Sequence, residues 1–259
     1  MKQIIIFLSI FLSAFIAQGQ YTETIASGRP GQANGARTVG AGTFQLQAGG
    51  GYNTPTLDNN RVNNYTADAV LRVGITERFE VAALWDYRAS RYNLSENTYS
   101  KDGFSSPAVR ARINLNEEQK GLIPVFAIQA GAVLPVGDPK FGISEVSPFG
   151  RLMASYSFFD RVGLTFNYRM NFPYSTEDTA GHRYIASLSW SVTEKLGVLG
   201  EVYGDIYRDY HVSKFDYGIF YVVNKDLQLD INAGGHTINQ DSSPFFINGG
   251  FSWRVGRKK

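Results

Sequence analysis

The chain of 259 residues contains no cysteine. No disulfide can brace it, and no thiolate can bind a metal or attack a substrate. An excess of charge of either sign is also missing: 25 Lys and Arg stand against 23 Asp and Glu, a formal net charge of +2. That balance excludes the strong basic field on which nucleic-acid binding rests, so no nucleic-acid partner is expected. Histidine is scarce. His182, His211 and His236 share no tight ligand spacing, and neither a metal nor a cofactor is expected. No glycine-rich loop leads into a helix, as a nucleotide site would need. Long apolar runs are absent beyond the first twenty residues, and mean hydropathy is −0.20. A helical membrane protein is thereby excluded. A β-barrel is not, because its strands alternate apolar and polar residues and average out.

The N-terminus has the form of an export signal. Lys2 precedes an apolar stretch, Ile4 to Ala17, followed by small residues at Ala17 and Gly19. The stretch is shorter than the roughly 20 residues a spanning helix needs, so cleavage after Gly19 is expected. No cysteine at the cut supports a lipid anchor. Residues 20–42, rich in Gly and containing Pro30, have no strong period. They read as an N-terminal extension, either a plug inside the rest of the protein or a loose periplasmic tail. Residues 43–259 form the remaining domain.

From Thr43 onward the sequence alternates with period two. In 161–172, Val162, Leu164, Phe166, Tyr168, Met170 and Phe172 share one face, and Arg161, Thr165, Asn167, Arg169 and Asn171 share the other. Successive strand side chains point to opposite faces, so each such segment is a ribbon with one oily and one wet side. Strands are predicted at 43–53, 62–74, 79–92, 105–116, 122–134, 147–158, 161–172, 182–193, 196–207, 211–223, 226–237 and 244–255, about twelve in all. The segment 122–134 alternates poorly.

Connections of two kinds take turns along the chain. Short ones are predicted at 75–78, 116–121, 159–161, 193–195 and 224–226, and longer ones near 54–61, 93–104, 135–146, 173–181 and 237–243, while the one near 208–210 is shorter than its class. That order fits an up-and-down barrel with periplasmic turns and extracellular loops, and not a sandwich with crossovers. Aromatics on the oily face agree. Phe79, Phe158, Trp190, Tyr221 and Trp253 fall near the short turns, and Tyr52, Tyr65, Tyr87, Phe172 and Tyr184 near the long loops. Two such bands suit the two interfaces of a bilayer. The expected fold is all-β: an antiparallel transmembrane β-barrel in the outer membrane, reached by signal-peptide export. Its partners would be outer-membrane lipid and the barrel-assembly machinery, which reads a terminal strand such as Phe245 to Val255. The basic Arg257-Lys258-Lys259 after that strand departs from the usual ending. A monomer is expected.

Several stretches carry a family likeness. Residues 27–52 hold an Arg-Pro pair, a Thr-Val and a Gly leading into an F-x-L-x-x-G strand. LRVGITERFEVAALWDY follows at 71–87, Leu-Pro-x-Gly-Asp at 134–138, and DLQLDINAGG at 226–235. These resemble a family of outer-membrane transporters named for the meta-pathway of phenol degradation. The resemblance implies a barrel importing small, often aromatic or hydrophobic, compounds. None of the stretches is a catalytic signature.

Function in a barrel belongs to its lumen. The wet faces carry Arg110, Arg112, Arg151, Arg169 and Arg183 on the fourth to eighth strands, and Glu201, Asp205, Asp216 and Asp230 with Lys214 on the ninth to eleventh. One wall is thus basic and the facing one acidic, an arrangement that attracts anionic groups and orients dipolar solutes. With a three-residue turn at 159–161, Arg151 and Arg169 would stand opposite each other, a costly placement. Charges that merely pair are the alternative, and Arg72 with Glu80 and Asp86 with Arg110 are expected pairs. Inward Tyr203, Tyr207, Phe149, Phe220 and Phe246 add aromatic surface. Arg29 and Pro30 are the candidate plug residues.

The leading reading is a passive channel for a small-molecule solute, not an enzyme. The alternative is a closed structural or partner-binding barrel. A lipid-modifying site at the rim is a third reading, because His211 and Ser213 share a face at a spacing seen in an outer-membrane phospholipase. Such a site needs a polar group on a neighbouring strand to orient the histidine, and none is evident.

Overall fold

The structure is a computed structural model and describes residues 24–57, 60–93, 98–172, 181–208, 211–236 and 245–256. The export signal and the basic tail lie outside the described residues. Among the described residues no helix is long and apolar enough to cross a membrane. The strands are β1 (Phe44–Asn53), β2 (Thr56–Leu57), β3 (Asn60–Gly74), β4 (Phe79–Asn93), β5 (Thr98–Phe104), β6 (Ala108–Asn114), β7 (Val125–Val133), β8 (Ser147–Phe158), β9 (Val162–Asn171), β10 (Gly181–Ser191), β11 (Leu196–Ile206), β12 (His211–Asn224), β13 (Leu227–His236) and β14 (Phe246–Val255). Apart from β2 and β5, each strand pairs antiparallel with its neighbours in chain order, and β14 returns to pair with β1. Twelve strands therefore close into a barrel. Closure pairs both edges of these twelve strands, which a bilayer demands because it offers no water to a bare peptide group.

The two faces are those of a membrane barrel. Leu152, Leu188, Ile219 and Ile231 point outward and are about half exposed, whereas Gln45, Arg112, Asn167, Asp216 and Ser252 point inward and are buried to 2% or less. A soluble barrel reverses that arrangement. The aromatic bands form as expected. Phe158, Trp190, Tyr221 and Trp253 are exposed near the short turns, and Tyr65 and Phe172 near the long loops. Tyr52 and Tyr65 meet across β1 and β3 with ring centroids 5.2 Å apart.

Two expectations are corrected. The stretch 98–104, read as loop, is β5, paired with the upper half of β4. Aromatic pairs across the strands hold it, Tyr87 with Phe104 at 5.2 Å and Tyr92 with Tyr99 at 5.7 Å. Its Ser, Lys, Asp and Gly conceal the strand because this extension is not oily on one face. The expected strand 105–116 is in turn broken. Ser105, Ser106 and Pro107 interrupt it, and only β6 continues along β4 and β7. Pro107 has no N–H for the ladder. The chain after β7 folds back and supplies the missing donors. Leu134 N–H donates to the Pro107 carbonyl at 2.8 Å, and Asp138 N–H to that of Phe104 at 2.8 Å. A smaller departure is the two-residue β2, which pairs with β3 inside the stretch read as a long loop at 54–61.

Candidate functional site

The segment Thr24 to Thr43 is bonded to wet-face residues around the barrel. Ile25 N–H donates to the carbonyl of Lys225, at the β12–β13 turn. Ser27 Oγ lies 2.6 Å from Ser252 Oγ. Arg29 reaches Asp68 at 2.9 Å and Asp230 at 3.2 Å, and the Gln228 amide donates to its carbonyl at 2.8 Å. Glu201 accepts the N–H groups of Gln32 at 2.5 Å and Ala33 at 3.2 Å. Asn34 and Asn167 exchange two bonds, at 2.8 and 2.9 Å. Ala36 N–H donates to Ser155 Oγ at 3.0 Å, and Val39 N–H to Glu80 at 3.0 Å. The partners come from β13 and β14 through β11, β9 and β8 to β4, so the segment crosses the lumen from wall to wall before entering β1.

Local sequence makes room for it. A Cβ on Gly49 would lie 2.2 Å from a guanidinium nitrogen of Arg29, and one on the paired Gly250 would lie 2.6 Å from the same atom. Two glycines face to face on neighbouring strands thus form the slot in which Arg29 lies. Gly31, at φ +93, turns the backbone against the Glu201 carboxylate, where a side chain would collide. Pro30 packs above Gly218, whose Cβ would be 2.9 Å from the proline ring. The poor alternation of 122–134 also has its reason here. Val125 and Ala127 face inward and are buried with Met153 and Ala36 of the segment. The wet face there meets protein, not water.

The charged residues predicted to line the lumen all lie on inward faces. Their partners differ. Arg72 pairs with Glu80 at 2.8 Å as expected. Arg112 also faces Glu80, at 3.4 Å, and donates to the carbonyls of Gly35 and Arg37 at 3.0 and 3.1 Å. The expected pair of Asp86 with Arg110 does not form. Asp86 binds Arg88 at 2.5 Å, and Arg110 faces the small residues Ala82 and Gly131. Register is the reason, since Asp86 lies beyond the end of β6. Arg183 and Lys214 share Asp205, at 2.6 and 3.2 Å. Asp216 accepts from Asn232 at 3.3 Å. The turn at 159–161 holds three residues, so Arg151 does face Arg169. Arg151 reaches Asn167 at 3.4 Å, and the Arg169 guanidinium lies 4.0 Å over the Phe149 ring.

Toward the extracellular end, a cavity of about 280 Å³ lies between the segment and the wall, lined by Gln32, Asn53, Arg183, Tyr203, Lys214, Phe246 and Asn248. Tyr203 and Phe149 are buried inward as expected, whereas Tyr207 lies beyond β11 and is exposed. Sequence reading assigns no site role to Asp68, Gln32, Asn34, Asn167, Ser155 and Gln228. Glycines on otherwise wet faces, at 49, 218 and 250, are the signal that marks such close approaches.

On the outer surface near the rim, Ser213 Oγ lies 3.2 Å from His211 Nε2. The Tyr184 hydroxyl, laid across Gly204, reaches the same nitrogen at 3.0 Å and Ser213 at 3.1 Å. A neighbouring polar group therefore exists, but it sits on the nitrogen that a nucleophile would use. A triad places its orienter on the other one.

The family model described as "Putative MetA-pathway of phenol degradation" matches residues 27–255. The chain belongs to this family. In this member of the phenol-degradation family, the Arg-Pro pair is the part of the segment lodged between Gly49, Gly250 and Gly218. No curated protein matches the chain by sequence. Solved barrels share the fold. The COG4313 outer membrane channel from Pseudomonas putida F1 aligns with TM-score 0.67 at 9% identity, over 88% of this chain and 100% of that one. The NanC porin aligns with TM-score 0.52 at 11% identity, over 81% and 100%. The KdgM porin in complex with disordered oligogalacturonate aligns with TM-score 0.51 at 10% identity, over 79% and 98%.

Proposed function

We propose that this protein is an outer-membrane channel that lets small solutes move down their gradient, with segment 24–43 as a plug that narrows the lumen. One observation carries the reading: a closed barrel, oily outside and wet inside, is crossed by a single segment held mainly through polar bonds, with a cavity on its outer side. Polar bonds can be exchanged for bonds to water, so the segment can shift at modest cost, unlike a packed apolar plug. Arginines of the β6–β10 wall attract polar or anionic groups, and Tyr203 and Phe149 offer weak stacking. Both must release the solute readily. The family description, which names phenol degradation, supports small aromatic solutes. The exposed apolar belt supports direct contact with outer-membrane lipid. β14 ending in Trp253 and Val255 supports recognition by the barrel-assembly machinery. Closure of the twelve-strand wall, β14 against β1, supports a monomer.

Planar-bilayer conductance tests the proposal. The full chain is expected to show small conductance steps, and a chain lacking residues 24–40 steps severalfold larger. Absence of conductance in both forms would favour a closed, partner-binding barrel.

A further inference from the structure

Counting cations against carboxylates in the lumen leaves a remainder. Arg29 has Asp68 and Asp230, Arg72 and Arg112 have Glu80, and Arg183 and Lys214 have Asp205. Arg110, Arg151 and Arg169 form no ion pair with a carboxylate among the described residues. Arg110 and Arg151 are only 9% and 7% exposed, and the Nε atoms of all three are buried without a hydrogen bond. Guanidiniums withdrawn from water without a carboxylate in contact are unfavourable, because the desolvation of each cation is left largely uncompensated. Pairing Arg151 directly opposite Arg169 adds repulsion.

Arg169 and Arg110 border the ring of Phe149, and Arg151 reaches toward Asn167 on the next strand. Register places Arg110 across from Gly131 and Gly131 across from Phe149. A Cβ on Gly131 would lie 2.5 Å from the tip of the Phe149 ring and 2.9 Å from the Arg110 stem, so the ring leans over the glycine toward Arg110. Arg169 covers the ring at 4.0 Å, and Arg151 lies on the same strand two residues away. On its own strand each of the three arginines sits on the extracellular side of a residue that holds the segment. Arg110 is one inward position above Arg112, Arg169 one above Asn167, and Arg151 two above Ser155.

We propose that Arg110, Arg151 and Arg169, with Phe149, form a binding station for a small organic carboxylate arriving from outside. This deepens the channel reading, on which it rests, by naming the solute class. A guanidinium offers paired donors in a plane that matches the two oxygens of a carboxylate, and its free Nε completes that fork. The Phe149 ring supplies an apolar surface for the organic part. The acidic residues of β11–β13 repel the anion and leave the basic wall as its track.

The test is a titration of the refolded full chain in detergent with sodium benzoate at constant ionic strength, with sodium phosphate and benzyl alcohol as comparison probes. Saturable benzoate binding is expected, weakened about tenfold or more in Arg151→Gln and in Arg169→Gln. Arg254→Gln, at the periplasmic end, should bind as the parent does. Heat-modifiable mobility of each variant establishes that it is folded. Phe149→Leu should weaken benzoate more than acetate. Equal binding of phosphate or of benzyl alcohol, or benzoate binding untouched in the folded Gln variants, overturns the proposal. Conductance of the same samples separates the two claims: a protein that conducts without binding benzoate sinks the station alone, and one that binds without conducting sinks the channel alone.

Discussion

The carboxylate of Glu80 and the guanidinium of Arg72 meet at 2.8 Å with 1% and 3% of their side chains exposed. The same carboxylate faces Arg112 at 3.4 Å and accepts the N–H of Val39 at 3.0 Å. It therefore joins β3, β4, β6 and the N-terminal segment at one point. Glu80→Ala leaves two buried cations without their partner. The expected loss is about 3–5 kcal/mol, as for other broken buried pairs. Removing the exposed pair of Arg78 with Glu117 should cost less than about 1 kcal/mol. Urea unfolding in detergent, followed by the boiled and unboiled gel mobilities, compares the two. Equal losses would contradict this placement of Glu80.

Gly49→Val is expected to open the channel without harming the wall. The three atoms nearest the new Cβ all belong to the Arg29 guanidinium, the closest at 2.2 Å, so the segment yields before the strand does. Single-channel conductance should rise toward that of the chain lacking residues 24–40. An unchanged conductance in a folded sample would mean that Arg29 does not control the lumen.

Ile231 lies at the middle of β13, points outward and is 47% exposed. Ile231→Arg places a charge in the hydrocarbon core and is expected to cost about 2–4 kcal/mol in lipid. Asn232→Arg, one residue along, adds a charge to the polar lumen instead and should leave lipid contact untouched. Folding yield into vesicles distinguishes the faces, and an equal yield for both would reverse the assignment of inside and outside.

At the rim, Tyr184 and Ser213 compete for the same nitrogen of His211. Phospholipid turnover by the purified protein should therefore be no lower in Ser213→Ala than in the parent. A clear drop would revive a hydrolytic role for this cluster.

The barrel itself was legible in the sequence. Period-two alternation places Val162, Leu164 and Phe166 on the lipid side whatever their neighbours are, because a bilayer imposes one rule on every residue that faces it. The bounds of β8 and β11 and the three-residue turn before β9 follow from such local rules. What lies inside the wall was not legible. Arg110 forms no ion pair among the described residues, although Asp86 is its expected partner, because a partner depends on strand register, and register is a property of two strands and their turn. β5 escaped notice because its aromatic contacts are to β4 and not within itself. The path of residues 24–43 through the lumen was beyond local reading for the same reason. Its bonds reach Asn167, Glu201 and Ser252, far along the chain, and only closure of the barrel brings those side chains around one segment.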